Sequence, residues 1–210
     1  MRRLIPFWIG SLVIVLFFSA CSRPEPPADE SILRKPLDEL TVEDMERMGA
    51  VVETNYGAFR FRFFPREAPN TVKNFLKLVR VGFYDGLRIH RVAPGLYLQG
   101  GDPKGDSTGG PGWTIPLERN SHSHVRGAVG MWHAPLYVND AGSQFYVMIA
   151  PHPKMDKTYT VFGEVWQGMD TVDRIAHLPL DSTRGQPGAP LSPVLMTRVR
   201  LEPLPRSARP

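Results

Sequence analysis

The 210 residues are 42 % hydrophobic and 22 % charged, a composition typical of a soluble globular protein with one domain and extensions. The formal net charge is +4 and becomes about +2 (4 minus 2) if Arg2 and Arg3 are removed with a leader, too little to indicate nucleic-acid binding. Cys21 is the only cysteine, which excludes an intrachain disulfide and a catalytic thiol in the mature domain. Many of the 21 prolines and 19 glycines lie between short apolar runs, which favours an all-β domain with many turns.

The N-terminus has the pattern of a secretory signal. Two arginines precede an apolar run over residues 4–18, and two small residues come directly before Cys21. The run is marginal for a membrane-spanning helix, which needs roughly 20 apolar residues. The sequence FSAC at 18–21 resembles a bacterial lipoprotein box, although Phe18 departs from the aliphatic residue usual there. We therefore expect a signal peptide at 1–20 and a lipidated Cys21; an ordinary cleaved signal and an uncleaved anchor are the alternatives.

The residues after the signal predict a tether followed by one domain. Residues 21–49 include the stretch SRPEPPADE, which is rich in proline and charge and cannot bury a core. Residues 37–48 have a weak helical pattern with Thr41 as a possible N-cap, which indicates one short helix against the domain. We place the domain at 50–203 and a proline-rich tail at 204–210.

The domain begins with two strands and a helix. Residues 51–56 and 58–64 have hairpin spacing around a turn at Gly57. In the second strand three phenylalanines alternate with two arginines, so one face belongs to a core and the other faces solvent. Residues 68–81 then have helical periodicity, with an apolar stripe that ends at Gly82.

The remaining elements are short strands and a second helix. Strands are predicted at residues 86–91, 97–99, 128–132, 144–150, 159–165 and 194–201. The second helix fits residues 169–176. About eight strands at this regular spacing, with two helices, predict a mainly β fold, namely a closed eight-stranded antiparallel barrel capped by two α-helices.

Four motifs in a fixed order carry a family resemblance. They are IHRVAPGLYLQGGD at 89–102, TGGPGWTIP at 108–116, GSQFYV at 142–147 and YTVFGEV at 159–165. From residue 51 to residue 201 the chain resembles the cyclophilin-type peptidyl-prolyl isomerases. That resemblance implies an eight-stranded barrel with two helices, and an enzyme that accelerates rotation about X-Pro bonds.

The motif at 89–102 also suits this chemistry on its own terms, because it offers donors and apolar side chains but no nucleophile and no acid pair. Rotation about a peptide bond faces a barrier of ~18–20 kcal/mol, and in the twisted transition state the nitrogen lone pair becomes able to accept a hydrogen bond. A fixed guanidinium aimed at that nitrogen stabilises the transition state more than the planar ground state. Arg91 is our candidate donor, and Gln99 is close enough to orient Arg91 or the substrate. The alternative is a surface arginine paired with an acid.

By position, the resemblance also implies a substrate site. The proline ring would enter a small apolar pocket formed by Leu96, Tyr97, Tyr146, Met155 and Tyr159. Gln144 would bond the substrate backbone through its amide, and His133 through its main chain. Leu96 and Tyr97 stand where the family usually has phenylalanine and methionine, and Tyr146 replaces a phenylalanine, so the pocket changes shape. Core packing is the alternative role of these side chains.

Two other motifs resemble functional sites but lack parts that those sites require. Residues 105–109 match the G-x-S-x-G nucleophile elbow of serine hydrolases, but the Gly-Pro-Gly at 110–112 cannot begin the helix that such an elbow requires. His122 and His124 lie two residues apart without a cysteine or acids to complete a metal site, so we interpret them as solvated loop histidines. His90 is interpreted as structural. We expect no metal and no cofactor.

The sequence therefore predicts a monomeric isomerase that acts on proline-containing polypeptides and binds no nucleic acid. It would be attached to a membrane through its N-terminal lipid, outside the cytoplasm in the bacterial cell envelope; a soluble periplasmic or secreted protein is the alternative. A second hypothesis is a proline-peptide binding or chaperone module with little turnover, because the pocket is altered. Client proteins and the residue preferred before proline are not indicated by the sequence.

Overall fold

The computed structural model describes residues 29–135, 137, 139–182 and 188–209. The predicted signal peptide at 1–20, the predicted lipidation site Cys21 and the first part of the predicted tether lie outside the described residues. Within the described residues, no helix is both long enough and apolar enough to cross a membrane.

The domain is built mainly from β-strands. The described part of the chain contains β1 (Met48–Thr54), β2 (Gly57–Phe63), β3 (Ile89–Ala93), β4 (Tyr97–Gly100), β5 (Ala128–Met131), β6 (Phe145–Met148), β7 (Thr160–Gln167), β8 (Leu180–Asp181), β9 (Ala189–Pro190) and β10 (Met196–Pro203). Eight of these strands form one antiparallel sheet in the order β10–β1–β2–β7–β5–β6–β4–β3, and β8 pairs with β9 in a separate ribbon. The eight predicted strands are confirmed; the small ribbon was not predicted.

The expected closure of the barrel is corrected to a curled, half-barrel sheet. β3 and β10 stand at opposite ends of the sheet order, and an isolated bridge between Arg88 and Leu195 connects the chain at those two edges. The N–H of Ile89 also donates to the carbonyl of Val194 at 2.9 Å. Pro193, the next residue in that direction, has no N–H to donate, so the pairing does not extend into a ladder there.

The two predicted capping helices are confirmed, and so is the short helix predicted within residues 37–48 with Thr41 as its N-cap. The described α-helices are α1 (Val42–Glu46), α2 (Pro69–Arg80) and α3 (Met169–Ala176). α1 begins after Thr41, whose side chain accepts a hydrogen bond from the N–H of Asp44, while the Asp44 side chain accepts from the N–H of Thr41. This reciprocal capping box stabilises a helix of only five residues. The buried stripes of α2 and α3 pack into the main core.

The segments on either side of the predicted domain also pack against it. β1 begins at Met48, two residues before the predicted domain start. Three side chains before it are buried in the main core: Ile32, Leu40 and Met45. In the predicted tail, Leu204 is fully buried and its N–H donates to the carbonyl of Arg47 at 2.7 Å. Residues 29–47 and 204–209 are therefore packed parts of the folded body.

The strands β3, β4, β5 and β6 have two differently built faces, because successive residues of a strand point to opposite sides. One register row joins four apolar residues that belong to the main core: Val92, Leu98, Val147 and Val129. We call this side the core face. The neighbouring row, on the opposite side, joins Arg91, Gln99, Tyr146 and Gly130. We call that side the groove face.

Candidate active site on the groove face

The groove face brings together site residues that are distant in the sequence. Arg91 on β3 pairs with Gln99 on β4, and Gln99 pairs with Tyr146 on β6. Directly opposed residues of an antiparallel ladder point to the same face and stand about 4.5–5.5 Å apart at their Cβ atoms. The sheet register therefore places the proposed donor, the proposed orienting amide and the pocket residue Tyr146 side by side.

Arg91 is half-buried and held between aromatic rings. Its guanidinium carbon lies 5.8 Å from the centre of the Tyr97 ring and 6.0 Å from that of the Trp132 ring. Such cation–π contacts orient a guanidinium without neutralising it. Among the residues that the structure describes, no carboxylate lies within 4.0 Å of this guanidinium, so the alternative of a surface ion pair finds no partner.

Two buried amides form a fixed pair beside Arg91. Gln99 is fully buried, and its Nε2 donates to the Oε1 of Gln144 at 2.8 Å. Gln144 in turn donates from its Nε2 to the carbonyl of Gly109 at 2.9 Å. The Oε1 of Gln99 is buried with no hydrogen-bond partner. A buried acceptor without a partner is unfavourable, so a hydrogen bond from the neighbouring Arg91 would stabilise this oxygen.

The five residues assigned to the proline pocket lie in one apolar cluster, separate from the main core. Its buried members include Tyr97, Tyr146 and Met155, and Leu96 and Tyr159 pack against them while partly exposed. The ring centres of Tyr97 and Tyr146 are 5.4 Å apart, and the Tyr159 ring stands edge-on to Tyr146 at 5.9 Å. We call this cluster the basin; its aromatic and apolar side chains have the polarity that suits an apolar ring.

Trp132 forms the wall between this basin and a larger groove. Its ring stacks on Tyr159 at 5.6 Å and also contacts Tyr97. On its other side, Trp132 lines a groove of about 810 Å³ together with Gln144 and residues 107–114. Arg91 is not among the residues that line this groove, so the groove is suited to the rest of a peptide and the basin to a single ring.

The side chain of His133 does not project into the groove as a polar group. It is buried, with Nδ1 at 2.9 Å from the carbonyl of Ala134 and Nε2 at 2.9 Å from the carbonyl of Thr158. Its ring also stacks on Tyr159 at 4.4 Å. The side chain thus ties two loops of the site together, while the residue itself lines the groove.

Comparison with known proteins places these features in one family. Residues 50–201 match the model of the family described as cyclophilin type peptidyl-prolyl cis-trans isomerase/CLD. The chain belongs to the cyclophilin-type peptidyl-prolyl cis-trans isomerases. The predicted family, its enzymatic activity and the mainly β fold with its cyclophilin arrangement are thereby confirmed.

Relatives of this isomerase are bacterial and eukaryotic. It is 50% identical over 115 residues to a peptidyl-prolyl cis-trans isomerase of Synechococcus elongatus, and this match covers 55% of this chain and 78% of the relative. It is 48% identical over 112 residues to peptidyl-prolyl cis-trans isomerase B of Bacillus subtilis, which covers 52% and 77%. A crystal structure of a Cryptosporidium parvum cyclophilin type isomerase in the presence of the dipeptide Ala-Pro superposes with a TM-score of 0.69 and 28% identity, over 73% of this chain and 98% of that one.

The interpretation of His124 as a solvated loop histidine was wrong. The side chain is fully buried in the isomerase, with Nε2 at 2.7 Å from the Tyr146 hydroxyl and Nδ1 at 2.8 Å from Oδ1 of Asp156. The sequence signal for this role is Tyr146 itself, because a buried tyrosine hydroxyl needs a hydrogen-bond partner. His122, the other histidine of the pair, stacks on Phe64 with 3.9 Å between ring centres.

The serine of the elbow-like motif lacks the setting that a hydrolase needs. Ser107 has a φ of 68° and its hydroxyl lies 3.1 Å from Nε2 of His90. The Nδ1 of His90 has no partner, so no third group orients the ring, and no α-helix follows Ser107 in the described chain before α3. The described residues also contain no cluster of three or more side chains arranged to bind a metal ion.

Proposed function

We propose that this isomerase lowers the barrier to X-Pro rotation through a hydrogen bond from the guanidinium of Arg91 to the prolyl nitrogen. The observation that carries the proposal is the placement of Arg91, which is held between two aromatic rings of the apolar basin and directly opposite Gln99, whose Oε1 has no partner. A guanidinium without an acidic partner keeps its donors for the substrate.

The catalytic effect depends on how well the prolyl nitrogen accepts a hydrogen bond as the amide twists. In the planar ground state the prolyl nitrogen shares its lone pair with the carbonyl and is a poor acceptor. In the twisted state the lone pair is localised, so the bond from Arg91 forms mainly in the transition state and raises the rate rather than the affinity alone. Gln99 supports this geometry by accepting from Arg91 or from the substrate backbone.

The apolar basin supplies the position of the proline ring. Tyr97, Tyr146 and Met155 form its buried part, and Leu96 and Tyr159 form its edge. The substrate backbone would run along the neighbouring groove, where Gln144 and His133 offer an amide and main-chain groups. The structural neighbour studied in the presence of Ala-Pro supports proline-containing peptides as the substrate class.

An exchange assay on a proline tetrapeptide tests the role of Arg91. We expect Arg91→Lys and Arg91→Ala to lower kcat/KM by about 10²–10³-fold, the usual cost of removing one donor aimed at transition-state charge. Both variants should keep the melting temperature of the wild type, because Arg91 is outside the main core. Wild-type rates in Arg91→Ala would refute the mechanism.

A binding module with little turnover is the second candidate. The observation in its favour is the bulk of Tyr97, Trp132 and Tyr159, which stand close together at the basin. The two candidates differ in one measurement: the module binds proline peptides while wild type and Arg91→Ala are equally slow in the same exchange assay.

We also propose that the mature protein is a monomer held at the outer side of a bacterial membrane by a lipid on Cys21, and that it acts on exported proteins. The signal-like N-terminus supports this location. Eight residue steps separate Cys21 from Asp29, where the described domain begins, and a fully extended chain spans at most about 28 Å over that distance. The isomerase would therefore work close to the membrane surface.

Metabolic labelling with a fatty acid tests the anchor, with Cys21→Ser as the matched variant. We expect label in the wild type and none in Cys21→Ser, together with release of the variant from the membrane fraction. Equal labelling of both would contradict the lipoprotein assignment and leave a cleaved or uncleaved ordinary signal.

A further inference from the structure

Tyr146, which we call the floor of the basin, is fixed both at its backbone and at its hydroxyl. Tyr146 is fully buried at the centre of the apolar cluster, and both Trp132 and Tyr159 stand edge-on to its ring, at 88° and 87°. Its backbone is fixed within β6 between β4 and β5. Its hydroxyl lies 2.7 Å from Nε2 of the buried His124. Because Tyr146 has no exposed surface, its ring acts on the shape of the basin through the rings that pack against it, those of Tyr97, Trp132 and Tyr159.

Gly130 is the partner that makes room for this tyrosine. The two residues face each other directly in the β5–β6 ladder. A Cβ atom built on Gly130 would lie 2.1 Å from Cζ and 2.2 Å from the hydroxyl oxygen of Tyr146, which is far inside van der Waals contact. The Tyr146 ring therefore lies directly across the backbone of β5, and any side chain at Gly130 must displace it.

In the hydrogen bonds that connect Tyr146, His124 and Asp156, the donors and acceptors can be assigned. The main-chain N–H of His124 donates to Oδ1 of Asp156 at 2.7 Å, and the ring Nδ1 lies 2.8 Å from the same oxygen. An ionised carboxylate only accepts, so Nδ1 carries the proton, and Nε2 of a neutral ring is left to accept from the Tyr146 hydroxyl. Burial lowers the pKa of His124, against the effect of Asp156, which favours the neutral ring in this direction.

We propose that Gly130, Tyr146, His124 and Asp156 form one positioning unit that holds the floor of the proline pocket in a single orientation. Asp156 sets the tautomer of His124, His124 anchors the hydroxyl of Tyr146, and the bare backbone at Gly130 lets the ring lie flat across β5. The unit acts through the pocket and not on the reacting amide, so its members are positioning residues. The inference rests on the proline pocket of the proposed function.

Removal of one oxygen atom tests the anchor. Tyr146→Phe leaves the ring but deprives Nε2 of His124 of its donor, so we expect kcat/KM for a proline tetrapeptide to fall about tenfold, mainly through a higher KM. In ¹⁵N spectra of the imidazoles, the wild type should show His124 as a single Nδ1–H tautomer, and the variant should lose that signature. Unchanged KM, or an unchanged His124 spectrum, would overturn the proposal.

A double-variant cycle tests the pairing with Gly130. Gly130→Ala should lower kcat/KM at least tenfold in the wild type, because the methyl group displaces the ring and separates the hydroxyl from His124. In the Tyr146→Phe background the same change should cost less than in the wild type, because the methyl group still displaces the ring but no hydroxyl anchor remains to be broken. Additive effects of the two substitutions would overturn the claim that they form one unit.

A matched control separates positioning from general loss of stability. Tyr84→Phe also removes a fully buried hydroxyl, which donates to the carbonyl of Ser143 at 3.1 Å, but from the main core. It should lower the melting temperature as Tyr146→Phe does, while its KM stays within about twofold of the wild type. A KM change in Tyr84→Phe as large as that in Tyr146→Phe would assign the effect to stability and overturn the proposal.

Failure of the proposed function has a different signature. If the wild type bound proline peptides without accelerating exchange, the mechanism through Arg91 would fail, and the positioning unit would be measured through the dissociation constant and the His124 spectrum instead. If the wild type were active and the Tyr146 and Gly130 variants matched it, only the present inference would fail.

Discussion

The core face and the groove face of the sheet come from alternate residues of the same strands, yet they are stabilised in different ways. The core-face row consists of aliphatic side chains that join a large cluster of phenylalanines, where packing is dense and not directional. The groove-face row consists of an arginine, an amide, a tyrosine and a glycine, each fixed by a specific bond or a close approach. One face supplies the stability that allows the other to hold polar groups in defined positions.

A cavity on the core face is the strongest test of whether the two faces contribute separately to stability and activity. Phe75 on α2 is fully buried, with its ring 5.4 Å from those of both Phe61 and Phe162. We expect Phe75→Ala to lower the free energy of unfolding by about 3–5 kcal/mol, as measured by urea denaturation. Exchange activity per folded molecule should remain close to that of the wild type; a loss as deep as that of Arg91→Ala would mean that the two faces are not separable.

A second prediction concerns the end of the chain that packs over the core. Leu204 is fully buried, so Leu204→Ala should cost about 2–4 kcal/mol of unfolding free energy without changing kcat/KM. The matched control is Leu191→Ala, because Leu191 is 62% exposed and should change stability by no more than about 0.5 kcal/mol. Equal effects of the two substitutions would show that residues 204–209 do not belong to the folded core.

A third prediction acts on the groove face alone. Gln99→Leu removes the Nε2 donor and leaves the buried Oε1 of Gln144 without a hydrogen-bond partner. We therefore expect kcat/KM to fall about tenfold. Gln167→Leu, at the exposed end of β7, is the control and should have no effect on exchange rates. Full activity of Gln99→Leu would remove the buried amide pair from the mechanism.

The smallest expected effect is a pH dependence of stability. Burial lowers the pKa of both His124 and His90, so the folded state binds these protons less readily than the unfolded chain, whose histidines titrate near about 6.5. The associated stability is complete above that value and is lost as the pH falls towards the lowered folded pKa values. We expect the melting temperature to fall by less than about 4 °C between pH 7 and pH 5.

His124→Gln identifies the histidine responsible. This variant should show a flatter dependence on pH than the wild type over the same range, and His90 should account for what remains. A melting temperature that rises on acidification, or an unchanged slope in His124→Gln, would contradict the assignment.

Local patterns were sufficient for most of the elements. The alternation of three phenylalanines with two arginines identified β2, and the apolar stripe before Gly82 identified α2, because each pattern depends only on the geometry of one strand or one helix. Motif order over residues 51–201 identified the family for the same reason, since it requires no knowledge of contacts. The candidate residues Arg91, Gln99 and Tyr146 are likewise predictable from their motifs, without knowledge of the contacts between them.

The amino-acid sequence alone predicted the strands of the main sheet, the helices, the family and the chemistry that the site offers. Tertiary structure decided that the sheet stops short of closure beside Pro193, that residues 29–47 cover the core, and that His124 is a buried link between Tyr146 and Asp156. The reason is physical: burial and hydrogen-bond partners depend on which distant segments meet, and no periodicity within one segment records that. Arg91 could be named from its motif, whereas the fixed floor next to it required the fold.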